Sequence, residues 1–189
     1  VLLGIHTGLL AYSAAVHSST WDEGGHLVAG LSHWKFGRFE LYSVNPPLVR
    51  TIATLPVTLM SPKMDWGDFQ PNPQARSEVQ LGRKFFDLNG HHAQHFLVVA
   101  RWACIPFSLF GAVMCFWWAK SLYGEWSGVL AATLWCFSPN ILGHGSLITP
   151  DVAAAAFSLT AAFTIRAFLK QPNLVTSLTT GAVWGIALL

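Results

Sequence analysis

Charge is what this chain has least of: 11% of its 189 residues are Asp, Glu, Lys or Arg, against about 25% in an average soluble domain. That scarcity excludes a disordered, solvated tail, which needs charge to stay expanded. The 11 basic and 9 acidic residues nearly cancel, to a formal +2, so the electrostatic footprint of a nucleic-acid binder is missing and no nucleic-acid partner is expected. Cysteine is scarce as well. Cys104, Cys115 and Cys136 all lie in apolar runs, where they read as packing residues rather than a disulfide framework. Glycine and proline stand near average usage, which excludes collagen-like and low-complexity chains. Walker loops, GxGxxG and GxSxG are absent, so soluble nucleotide binding and serine-hydrolase chemistry have no support.

What is abundant is apolar: 52% of residues are hydrophobic and the mean hydropathy is +0.43. A helix crosses a bilayer with about 20 apolar residues, because no backbone group can be left unpaired in hydrocarbon. The runs predict spans at about 1–16, 96–119, 126–142, 152–169 and 174–189. The expected fold class is therefore all-α, a polytopic transmembrane helical bundle. The chain opens at Val1 without a methionine and stops at Leu189 inside an apolar run, and reads as the N-terminal part of a longer protein. Two polar connections, 17–95 and 138–151, separate the spans. Lys120, Arg166 and Lys170 flank the short connections on the other side, which by the positive-inside rule makes that side cytoplasmic and both polar connections extracytoplasmic. The first connection holds seven of the nine acids, so chemistry is expected there.

Within it, Thr20 and Glu23 have capping-box spacing, and Leu27, Leu31 and Trp34 step by four and three, predicting a short amphipathic helix. After a turn-rich stretch, Pro46-Pro47 suits a second helix start. Leu48, Ile52, Leu55 and Leu59 then share an apolar face, with Arg50, Thr51, Thr54 and Thr58 off it, as in a helix lying in the membrane interface. The stretch from Ser61 to Asn72, with Pro62, Gly67, Pro71 and Pro73 in and around it, reads as irregular and exposed.

Asp22-Glu23 follows the first span directly. The pair stabilises a helix start, or Asp22 acts as a general base at the lipid–water boundary. Arg101, a few residues into the second span, either snorkels to the interface or aims its guanidinium at a phosphate headgroup. Asp151 opens the fourth span, where an anion favours a helix N-terminus. His91-His92-x-x-His95 is the one metal-like spacing; a divalent metal is not required by anything else. Most tryptophans sit near span ends, as in an aromatic belt.

Taken in order, these motifs resemble the N-terminal part of the GT-C superfamily of polytopic glycosyltransferases, in the branch of protein O-mannosyltransferases and aminoarabinose transferases. Asp22-Glu23 resembles that family's acidic motif in the first extracytoplasmic loop, and Asn45-Pro46-Pro47-Leu48 its PPL motif, although many relatives have histidine where Asn45 stands. Ala100-Arg101 resembles the arginine heading the next span. Ser138-Pro139, Gly145 and Thr149-Pro150-Asp151 resemble the second-loop pattern. The resemblance implies juxtamembrane helices in the first loop, a polyprenyl-phosphate-linked sugar as donor and a protein, lipid or glycan as acceptor. It implies an inverting displacement with Asp22 as base, Glu23 orienting it, Arg101 on the donor phosphate, Asp151 shaping the pocket and Asn45, Pro46 and Pro47 in a substrate loop. The expected site is a bacterial inner membrane, or that of the endoplasmic reticulum. The competing reading is a non-catalytic or transporter-like membrane protein, which would bury its charges mid-span.

Overall fold

The structure is a computed structural model that describes residues 1–70, 72 and 74–189. Among these residues it holds nine α-helices and no strand: α1 (Leu2–Val16), α2 (Glu23–Phe36), α3 (Leu48–Leu59), α4 (Glu78–Asn89), α5 (His91–Tyr123), α6 (Glu125–Phe137), α7 (Pro139–His144), α8 (Asp151–Lys170) and α9 (Leu174–Ala187). Two of them, α5 and α8, are long and apolar enough to cross a membrane. The fold is all-α, as composition and periodicity predict.

The span expected at 126–142 is two helices instead. Ser138 precedes Pro139, and the proline ring disfavours the α conformation in the residue before it. Ser138 is accordingly extended (ψ 127°), and α6 ends at Phe137 after 13 residues, about 20 Å at 1.5 Å per residue. Pro139 then opens α7, where its missing N–H costs nothing. The helices α1 and α9, of 15 and 14 residues, are likewise shorter than the roughly 20 residues that a bilayer crossing takes.

Two compact units divide the chain. One comprises 1–9, 106–145 and 151–189. Its glycines set close approaches: a side chain on Gly111 would overlap the Trp135 ring, and one on Gly128 would crowd the Phe116 carbonyl. His6 and Ser108 share a buried hydrogen bond of 2.9 Å. The last helix, α9, starts on a complete capping box between Asn173 and Thr176.

The other unit comprises 10–105 and 146–150 and centres on α2. That helix is buried along ten of its 14 residues, so it is not the amphipathic surface helix its Leu27, Leu31 and Trp34 spacing predicts. Helices α3 and α4 both pack on it, and glycines let them approach. A Cβ on Gly30 would lie 2.4 Å from the Arg50 carbonyl oxygen, and one on Gly82 3.0 Å from the Gly24 carbonyl carbon. Helix α4 itself was not foreseen from the sequence.

Helix α3 begins after Pro46-Pro47 as predicted, and the carbonyl of Pro47 accepts the Thr51 amide. Its apolar stripe, however, faces outward. Ile52, Leu55 and Leu59 are 40%, 43% and 79% exposed, while Arg50 and Thr54 are buried against α2. Val49, Ala53 and Val57 are buried beside them, so α3 is apolar on its outer face as well as on its inner one, unlike a helix with one face in water. The stretch from Ser61 onward is irregular as expected, alternating exposed and half-buried residues; Pro71 and Pro73 lie outside the described residues.

Candidate functional site

A cleft of about 300 Å³ opens in the second unit where the start of α2 meets the start of α4 and the loop before α3. Asp22, Trp21, Tyr42, Arg76, Glu78 and Arg83 are among the residues lining it. Asp22 occupies the position before the first turn of α2, yet its side chain makes no capping hydrogen bond. Its carboxylate instead accepts a long 3.4 Å hydrogen bond from the Tyr42 hydroxyl, and the residue is exposed. Asp22 therefore stands where a carboxylate favours the helix dipole, without closing the helix end by a hydrogen bond.

Tyr42 is held in place from behind. It adopts a left-handed backbone (φ 58°), a conformation that costs a non-glycine residue free energy and persists only when its surroundings impose it. Arg50 supplies that restraint: its Nη1 donates to the Tyr42 carbonyl at 2.8 Å and its Nη2 to the Asn45 carbonyl at 3.0 Å. Its Nε donates to His33 Nε2 at 3.0 Å. A guanidinium only donates and a carbonyl only accepts, so His33 is neutral with the proton on Nδ1, which donates to the Arg38 carbonyl at 2.8 Å. Burial holds His33 down at about 4, against its ordinary 6.5, with Arg50 adding to that effect and the Arg38 carbonyl opposing it. The Tyr42 phenol is pushed up by burial and by the negative charge and hydrogen bond of Asp22, which keeps it a donor.

Two arginines reach the cleft from α4 and the turn before it. Arg76, also left-handed (φ 48°), pairs with Glu78 and sits over the Tyr42 ring, 5.7 Å from its centre. Glu78 is buried, and its second oxygen has no partner among the described residues. Arg83 lies 5.8 Å from the Trp21 ring centre and forms no ion pair among the described residues. Among the described residues Arg76 is paired with Glu78 and also feels the Asp22 charge, while neither Asp22 nor Arg83 is in an ion pair.

Glu23 and Arg101 are not part of this cleft. They form a buried ion pair, 0% and 1% exposed, at 2.6 and 2.8 Å. Arg101 also donates to the carbonyls of Ala14, His17 and Ser18, so each of its five N–H groups already has an acceptor. That corrects the expectation of a donor-phosphate role: no donor remains for a phosphate, and none of the side chain is reachable. It also replaces snorkelling, since the head is inside rather than in solvent. Glu23 accepts the amide and hydroxyl of Thr20 at 2.9 and 3.1 Å, the reaching-back half of the predicted capping box, and the Ile148 amide at 3.4 Å. It does not contact Asp22 as an orienting group would. The pair thus ties together the end of α1, the start of α2, α5 and the connection 146–150, so the two polar connections do meet, but around a structural clamp.

The remaining expected residues fall elsewhere. Asn45, Pro46 and Pro47 form the turn into α3 and do not line the cleft; Asn45 contributes its carbonyl to Arg50. Asp151 is exposed in the first turn of α8, in the other unit, the position where a carboxylate favours a helix start. His91, His92 and His95 are all exposed at the start of α5, and no group of three potential ligands placed to hold a metal occurs among the described residues. Sequence reasoning missed Tyr42, Arg76, Glu78 and Arg83. The signal available for the last two was the Leu81–Phe85 spacing after Ser77, a helix pattern in a stretch passed over as polar. Comparison with family models, with curated proteins and with solved structures gives no match to this chain.

Proposed function

We propose that this chain carries the donor and acceptor cleft of a membrane glycosyltransferase that moves a sugar from a polyprenyl phosphate to an acceptor hydroxyl with inversion. The observation that carries the reading is Asp22: a carboxylate at a helix start that caps nothing, sits in a cleft and is met by a tyrosine hydroxyl and nearby guanidinium groups. In the reaction Asp22 takes the proton of the acceptor hydroxyl while that oxygen forms the new bond to the anomeric carbon. The bond from that carbon to the phosphate oxygen breaks, and polyprenyl phosphate leaves with the electron pair. General-base help of this kind contributes about 10²- to 10⁴-fold.

Arg83 takes the role that Arg101 cannot, stabilising charge on the leaving phosphate, a term that grows as water is excluded. The long apolar helices α5 and α8 fit a donor whose prenyl tail stays in lipid. In this reading the cleft opens on the extracytoplasmic side. The test is Asp22→Asn in the full protein, assayed in membranes with a panel of labelled polyprenyl-phosphate sugars. Transfer falls by at least about 100-fold while donor binding persists. Turnover at the wild-type rate removes the assignment.

A further inference from the structure

A second groove, of about 340 Å³, runs between the last turns of α2 and the segment from Thr58 to Trp66, on the same unit as the cleft but sharing no lining residue with it. Leu31, Trp34, Met64 and Trp66 line it together with Thr58, Ser61 and Pro62, and among the described residues Lys35 is the one charged group on its wall. That volume is at the lower end of small-molecule sites, about 300–1,000 Å³. We infer that this groove seats an acyl chain of an anionic membrane phospholipid, with the Lys35 ammonium on its headgroup phosphate.

Three observations point to that occupant. The groove residues Thr58 and Ser61 flank Leu59 and Met60 in the chain, one turn after Leu55, and all three of these are exposed. Large apolar side chains exposed together at helical spacing mark an interaction surface. Helix α3 already buries Val49, Ala53 and Val57 on its inner face, so Ile52, Leu55 and Leu59 form a second, outward apolar face that a lipid neighbour rewards and water penalises.

Trp34 suits an interface: its indole N–H donates to the Thr51 carbonyl at 2.8 Å while the residue remains 44% exposed, which leaves the polar group satisfied and much of the ring accessible. The charge is complementary to an anionic head. Lys35 lines the groove without an acid beside it there. Asp65, between the groove residues Met64 and Trp66, is held by Lys84 at 3.0 Å and by the Gly67 amide at 2.8 Å.

This inference stands apart from the transferase reading and needs no catalysis to test. The full protein is reconstituted in lipid nanodiscs with phosphatidylglycerol carrying a photoactivatable group in its acyl chain, and cross-linked peptides are mapped. Cross-links fall on 31–35 and 58–66. Phosphatidylglycerol is retained over phosphatidylcholine by about fivefold, the weight of one lysine near a lipid surface. Lys35→Gln erases that preference, and Met64→Trp, which fills the groove, removes the cross-link. Cross-links confined to α5 and α8, or a preference that survives Lys35→Gln, overturn the assignment. So does displacement of the probe by undecaprenyl phosphate but not by phosphatidylglycerol, which would make the groove a channel for the donor tail.

Discussion

Replacing Arg101 by methionine separates a clamp from a substrate-binding group. The wild-type guanidinium sits 1% exposed against a carboxylate that is 0% exposed, so the substitution strands the Glu23 charge with only the Thr20 and Ile148 donors. Breaking a buried ion pair from one side costs about 3–5 kcal/mol. The carbonyls of His17 and Ser18, in exposed residues, recover water, whereas Ala14 is buried and loses a partner. For a chain of this length the loss lowers Tm by about 6–20 °C. Glu23→Leu combined with Arg101→Met removes both charges, and the double variant is more stable than the sum of the single losses by about 0.5–3 kcal/mol, the usual coupling of contacting residues. The assay is thermal unfolding of the full protein in detergent, with donor affinity measured alongside per folded molecule. Expected is a large fall in Tm with donor affinity unchanged. A wild-type Tm with a tenfold weaker donor would refute the clamp and return Arg101 to the phosphate.

Three further expectations follow from neighbouring residues. His33 is neutral in the fold and drawn down to about 4 by burial, so the unfolded chain takes up its proton first, near 6.5; stability is complete above pH 6.5 and falls by up to about 3 kcal/mol as the pH drops towards 4. That loss is read as Tm against pH and is absent in His33→Gln; an unchanged acid slope in that variant would sink the assignment. Gly30→Ala drives a methyl group to 2.4 Å from the Arg50 carbonyl oxygen, a backbone atom, and 2.5 Å from Thr54 Oγ1. It costs about 1–3 kcal/mol or more of stability, whereas Gly8→Ala meets nothing within 4 Å and leaves Tm intact; equal effects would contradict the α2–α3 crossing. Arg83→Gln weakens donor binding by about tenfold or more, the range of a hydrogen bond to a charged group, with little change in Tm. A stability loss without a binding loss would make Arg83 a scaffold residue.

Helical class was legible because apolar runs and proline positions act locally. Pro46-Pro47 fixed the start of α3, and Pro139 fixed a break that the apolar run from 126 to 142 concealed, since hydropathy is blind to the conformation imposed on Ser138. The site was legible only as a neighbourhood. Asp22 could be singled out from its position, but whether its carboxylate caps α2 or faces a cleft depends on Tyr42, 20 residues away, and on the restraint that Arg50 and His33 place on Tyr42. No local pattern encodes that chain of contacts.

Periodicity found the two faces of α3 and left open what each would meet. The sequence stripe of Leu48, Ile52, Leu55 and Leu59 is compatible with a core or with lipid. The deciding fact is tertiary: α2 presents Gly30 and His33 to α3, a small surface and a neutral hydrogen-bond acceptor, and these receive a carbonyl and a guanidinium better than they would receive leucines. Once Arg50 is satisfied inside by His33, Tyr42 and Asn45, a helix period of 3.6 residues obliges Leu55 and Leu59 to point away. The outward apolar face and the restrained Tyr42 beside Asp22 are therefore two consequences of one buried arginine. Replacing Arg50 should disturb the cleft and the outward apolar stripe together, rather than either alone.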